Sequence, residues 1–276
     1  MASAACLALV PSVIALRAFP WSAGQRRLNI TFIGQSNLSG RGFLADLVGH
    51  IFALAHMVKI YGNNLKWRDG AEPVDDSTDQ IDFISNDYIT VAGGVGVGPC
   101  MAFGSRLASL LPNTEIGIVN CAVGATSSAQ WAPSYSTDTL YGLALAKTKT
   151  AAERGEIAAL VIGQGHSDAM TDYTTANTWD TRMAAIIASF RADVGNPDLP
   201  VVISIMEPSP GMAAFPHWDV VRAAQLRLTG TNIVHVSETG LDYRTDHPDQ
   251  RPHFTTAGQL EYGVRIADAL YPLLAV

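Results

Sequence analysis

The chain predicts an α/β fold, a three-layer α/β/α sandwich in which a central parallel sheet is covered by helices on both faces of one domain. Three observations predict it. Apolar runs of strand length alternate with stretches of helical period from about residue 28 onward. No internal repeat and no Pro/Ser-rich linker breaks the alternation, and 276 residues suit one large α/β domain. Three polar clusters, at 34–37, 121–127 and 163–168, directly follow strand patterns. In a parallel sheet they meet at one carboxyl edge, where open α/β sheets bind ligands.

Taken in order, Leu28 to Ile33 is the first strand, with apolar residues at 28, 30, 32 and 33. It runs into Gly34-Gln35-Ser36-Asn37, where glycine permits a tight turn and two amides flank a serine. An apolar segment of undefined structure, Phe43 to Met57, leads to a short strand, Val58 to Tyr61, ended by the turn signal Gly62-Asn63-Asn64. Residues 66–98 read as a long surface excursion carrying Asp75, Asp76, Asp79, Asp82 and Asp87. Loops of that length are usually functional. Pro99 then opens a helix with Cys100, Phe103, Leu107, Leu110 and Leu111 on one face.

Glu115 to Asn120 is the third strand, followed by the small-residue loop Cys121 to Ser127. A helix over Leu140 to Glu153 ends at Gly155, and the fourth strand, Ile157 to Ile162, opens into Gly163-Gln164-Gly165-His166-Ser167-Asp168. Trp179, Met183, Ile186, Ile187, Phe190 and Val194 mark the strongest helix. Pro200 to Met206, Trp218 to Leu228 and Asn232 to Val236 continue as strand, helix, strand, and Leu260, Val264, Ala267 and Tyr271 stripe a closing helix.

Composition narrows the function. With 48% hydrophobic and 16% charged residues the chain is globular, and a net charge of −7 with no basic run argues against nucleic-acid binding. Three cysteines, Cys6, Cys100 and Cys121, form neither a disulfide framework nor a C-x-x-C site and read as buried thiols. Ala4 to Leu16 is apolar like the core of a signal peptide, but no Lys or Arg precedes it and Pro11 interrupts it. Residues 1–27 are therefore expected to be a leader or packed extension and 28–276 the single domain. The run is too short and broken to span a bilayer, so no membrane role is expected.

A serine hydroxyl becomes a nucleophile when a base takes its proton, and histidine has the pKa for that. Of seven histidines, His253 lies just before the closing helix, where it can lean over the sheet edge; His247 is a rival and His166 sits in the fourth-strand cluster. His50, His56, His217 and His235 lie in or beside apolar stretches and read as structural. Donors for an oxyanion are available from the N–H groups of Ser36 and Gly124 and from the Gln164 amide, with Gln35 and Asn37 as further amides. His166, Asp168 and His247 lack compact metal-ligand spacing, so no metal is expected.

Gly-Gln-Ser-Asn after the first strand, Gly-Pro-x-Met-Ala-Phe-Gly at 98–104, Asn-Cys-Ala-Val-Gly-Ala-Thr-Ser at 120–127 with Gln130-Trp131, Gln-Gly-His-Ser-Asp-Ala at 164–169, and His253-Phe-Thr-Thr-x-Gly stand in one order. Together they resemble the SGNH-type carbohydrate esterases, in particular the sialate O-acetylesterase and acetylxylan esterase class (carbohydrate esterase family 6), over residues 28 to 271. The resemblance implies a flavodoxin-like α/β/α hydrolase that removes acetyl groups from sugar hydroxyls without metal or organic cofactor. By position Ser36 matches the nucleophile, His253 the base, and Ser36 N–H, Gly124 and Gln164 the oxyanion hole.

The chain departs from that pattern in three places. His166 stands where Gln-Gly-Glu is usual, Ala125 where Gly-Gly-Thr is usual, and Gln250 where the acid orienting the histidine usually stands. Asp249 is the first candidate for the acid, with Asp246 and Asp168 behind it; a Ser-His dyad steadied by Gln250 or a backbone carbonyl is the alternative. Loss of the acid can cost about 10⁴ in kcat. The expected activity is a serine O-acetylesterase on acetylated carbohydrate, against a weak or inactive glycan-binding domain that keeps the fold. A glycan substrate favours an extracellular or cell-surface address. Trp67, Trp131, Trp218, Tyr88 and Tyr135 are candidate sugar-stacking faces, and the 66–98 and 131–138 segments are expected to shape the cleft.

Overall fold

The computed structural model describes residues 26–81, 96–246 and 252–274. Seven strands, β1 (Arg26–Gly34), β2 (Val58–Tyr61), β3 (Trp67–Asp69), β4 (Thr114–Asn120), β5 (Glu156–Gly163), β6 (Val201–Ile205) and β7 (Ile233–Ser237), form one sheet in the order β3-β2-β4-β1-β5-β6-β7. All neighbours pair in parallel except β2 and β3. The expected alternation therefore holds. Within the described part of the leader region, Arg26 and Arg27 already belong to β1.

The excursion expected at 66–98 begins instead as an edge strand. Tyr61 pairs with Trp67 and Lys59 with Asp69, so the Gly62-Asn63-Asn64 turn returns the chain onto the sheet. Three residues are too few to display a period of two, which is why the pattern was silent there. Asp82, Asp87 and Tyr88 lie outside the described residues.

Among the described residues eight α-helices accompany the strands: α1 (Ser36–Ser39), α2 (Cys100–Leu110), α3 (Leu140–Ala151), α4 (His166–Thr171), α5 (Tyr173–Asn177), α6 (Trp179–Asp193), α7 (Trp218–Arg227) and α8 (Thr256–Leu274). Side chains alternate across the sheet and so divide the core in two. Leu160, Ile162, Val201 and Ile203 face Leu145 of α3, Ile187 and Phe190 of α6 and Ala224 of α7. Ile30, Phe32, Val161 and Val202 face Phe103 and Leu107 of α2 and Ile266 and Leu270 of α8. Cys100 and Cys121 are buried, as expected.

Chain travel sets the place of the site. From β1 the chain moves toward β2 and β3, then β4 is followed by a jump across β1 to β5. The carboxyl end of β1 is thus a topological switch point, with the ends of β4 and β5 on either side. Among the described residues no helix is long and apolar enough to cross a membrane.

Candidate active site

Gly34 ends β1 with φ of +137°, and a Cβ there would lie 2.1 Å from the carbonyl oxygen of Gly163 at the end of β5. Glycine is required on both counts. This close approach lets Gln35 N–H donate to Gly163 O at 2.9 Å and turns the chain into α1, whose first residue is Ser36. As the first helical residue, Ser36 has no intrahelical acceptor for its own N–H.

Ser36 Oγ lies 2.8 Å from His253 Nε2, although 217 residues separate them. Asn37 fixes this meeting. Its Nδ2 donates to Pro252 O at 3.0 Å, and its Oδ1 accepts from Phe254 N–H at 3.2 Å, so one amide grips the backbone on both sides of His253. Gln35 does the same for β5: its Oε1 accepts from Gly165 N–H and His166 N–H, each at 3.0 Å, and its Nε2 donates to Ser167 Oγ at 2.6 Å. Both flanking amides, secondary candidates as donors beside the serine, are committed to holding neighbouring loops.

Gln164 is likewise turned away. It is buried, and its Nε2 donates to Thr126 O at 2.8 Å, which anchors the 121–127 loop to β5. Gly124 lies in that loop beside Ala125, which faces the cavity with φ of +59°. Asp168 is fully buried: it accepts from Ser128 N–H at 2.9 Å and pairs with Arg182 at 3.1 Å, a structural tie between α4, α6 and the loop. Asp246 makes a two-pronged pair with Arg244, at 2.9 and 2.7 Å. His247, Asp249 and Gln250 lie outside the described residues.

Ser36 and His253 open onto a cavity of about 340 Å³ that also takes in His166, Ser167, Met170, Ala214, Phe215 and Pro252. That volume suits a small ligand. Met170, Gly211, Ala214 and Phe215 escaped the sequence reading. The signal was present in the Pro208-Ser209-Pro210-Gly211 loop, which follows the carboxyl end of a parallel strand just as the three polar clusters do. A larger cavity, about 530 Å³, lies between α2, α8 and residues 50–54 and shares no lining residue with this one.

Aromatics expected as sugar platforms sit elsewhere. Trp131 is buried core, its indole N–H donating to Thr126 Oγ1 at 3.1 Å. Arg27 stacks on Trp67 at 4.6 Å, and Tyr135 bonds Asp193 on the surface. None of these, nor Trp218, lines the cavity.

Burial pushes the His253 imidazole down to about 3, reinforced by Arg41, His166 and Arg244. The ring is therefore neutral at pH 7, the form that accepts a proton. Burial likewise lowers His166 to about 4. Among the described residues no group of three His, Cys, Asp or Glu side chains converges as metal ligands.

A family model described as carbohydrate esterase, sialic acid-specific acetylesterase matches residues 29–272. A protein named as a probable carbohydrate esterase of Arabidopsis thaliana is 30% identical over 252 residues, covering 86% of this chain and 87% of its own. The crystal structure of an Arabidopsis thaliana protein superposes with a TM-score of 0.72 at 27% identity, over 90% of this chain and 98% of that one. NanS shares the fold at a TM-score of 0.63 and 18% identity, over 91% and 97% of the two chains. A carbohydrate acetylesterase from Xanthomonas citri does so at 0.60 and 17%, over 90% of this chain and 56% of that one. With a family match that spans the sheet from β1 to α8 and takes in both Ser36 and His253, this chain belongs to the sialic acid-specific acetylesterase family of carbohydrate esterases.

Proposed function

We propose that the protein is a serine O-acetylesterase that removes acetyl groups from carbohydrate through an acyl-enzyme. The observation that carries this reading is the 2.8 Å contact between Ser36 Oγ and a neutral His253 Nε2 at the mouth of a ligand-sized cavity. His253 takes the Ser36 proton as Oγ attacks the ester carbonyl, and the N–H groups of Ser36 and Gly124 receive the oxyanion. Collapse releases the sugar hydroxyl, which takes its proton from His253. Water, deprotonated by the same imidazole, then frees acetate from Ser36. Gln164 acts as a positioning residue that holds the Gly124 loop. We assign the acid to Asp249, in the segment leading into His253; Asp168 and Asp246 pair with Arg182 and Arg244.

Ser36→Ala is expected to lower kcat/KM on p-nitrophenyl acetate by about 10³-fold or more. Turnover within tenfold of wild type refutes the assignment.

One observation favours a second reading, a glycan-binding domain of weak catalysis. Burial, reinforced by Arg41, His166 and Arg244, lowers His253 to about 3, and an imidazole that low is a poor general base. Sugar binding by the wild type with turnover no better than Ser36→Ala would favour that reading.

A further inference from the structure

His166 is unused by the mechanism above, yet it shares the cavity with Ser36 and His253. Its Nε2 is buried and has no hydrogen-bond partner. A buried polar atom left without a partner is unfavourable and calls for an explanation. The ring is held in place independently of that atom. Its backbone N–H is bonded to Gln35, and it meets Phe215 edge-on, with centroids 5.2 Å apart and planes at 77°.

The neighbouring lining sorts what can reach it. Met170, Ala214, Phe215 and Pro252 give the cavity an apolar wall. Ser167 Oγ, the nearest polar side chain in sequence, already accepts from Gln35 Nε2. An occupant must therefore present apolar faces and a polar edge. A neutral imidazole nitrogen donates in one tautomer and accepts in the other, and a hydroxyl matches both roles. An acetyl group offers only its carbonyl, which belongs at the oxyanion donors. A sugar ring, with C–H faces and hydroxyl edges, meets every requirement.

We propose that His166 is a specificity-determining residue whose buried Nε2 hydrogen-bonds a hydroxyl of the sugar whose ester is seated at Ser36. The proposal rests on the esterase reading and names the part of the substrate that His166 selects.

The test compares wild type, His166→Phe and His166→Gln on an O-acetylated monosaccharide and on p-nitrophenyl acetate, which carries the same acetyl group without hydroxyls. His166→Phe is expected to lower the ratio of kcat/KM for sugar ester over p-nitrophenyl ester by about tenfold, chiefly through KM, and His166→Gln to recover part of it. Equal losses on both esters, or an unchanged ratio, overturn the proposal. A fold-independent measurement uses Ser36→Ala with labelled imidazoles. Titration with the O-acetylated monosaccharide should shift the His166 ring-nitrogen resonance and ethyl acetate should not; shifts with both, or with neither, count against it. Wild-type activity in Ser36→Ala overturns the serine reading separately, because the His166 ratio does not depend on which group attacks.

Discussion

Ala125 shows how one side chain records a compromise. Its φ of +59° is left-handed, a conformation that costs a residue with a Cβ roughly 1–2 kcal/mol. Its place on the cavity wall explains why the loop holds the turn despite that cost. Ala125→Gly is expected to stabilise the protein by about 1 kcal/mol, a rise in Tm of roughly 2–4 °C that thermal unfolding checks. A lower Tm would show that the methyl group packs well enough to outweigh the strain. Gly34 is the complementary case, because there a methyl group has no room at all.

At the scale of elements, the site is a junction of three loops held by side-chain amides. The turn after β1 reaches the approach to α8 through Asn37 and the start of α4 through Gln35. The loop after β4 is tied to β5 through Gln164. Asn37→Ala removes both bonds that flank His253, and kcat on p-nitrophenyl acetate is expected to fall by about 10-fold to 100-fold, with Tm lowered by roughly a few degrees. An unchanged kcat would mean that the 252–254 backbone is fixed by other contacts, such as the Tyr243–Phe254 bridge. The Gly-Gln-Ser-Asn motif was legible as a nucleophile turn because its position after an apolar strand is a local fact. The clamping role of its amides was not, since their partners lie about 130 and 217 positions away.

For the whole molecule, buried ionisable groups set opposing dependences on pH. His166 and His253 are held below the ordinary histidine value, so the unfolded chain binds their protons first. Their stability contribution is complete above about 6.5 and is lost as pH falls toward 4 and 3. Glu238 runs the other way: burial raises its carboxyl to about 7, with Ser204 Oγ donating to it at 2.6 Å. Its contribution is complete below about 4.5 and is lost as pH rises through 7. Glu238→Gln, which keeps an uncharged acceptor for Ser204, is expected to shrink the drop in Tm between about pH 5 and pH 8. An equal drop in the variant would assign that pH dependence to other groups.

Sequence alone determined the alternation of strand and helix, the serine turn, and the three polar clusters, because apolar period and turn chemistry act over a few residues. Tertiary structure decided what those clusters do. It brought Ser36 to His253, turned Gln35, Asn37, Gln164 and Asp168 inward as ties, and supplied Met170, Ala214 and Phe215 as a wall. Which way an amide or carboxylate points depends on groups that only the packed sheet edge brings within about 3 Å, and no local pattern encodes that distance.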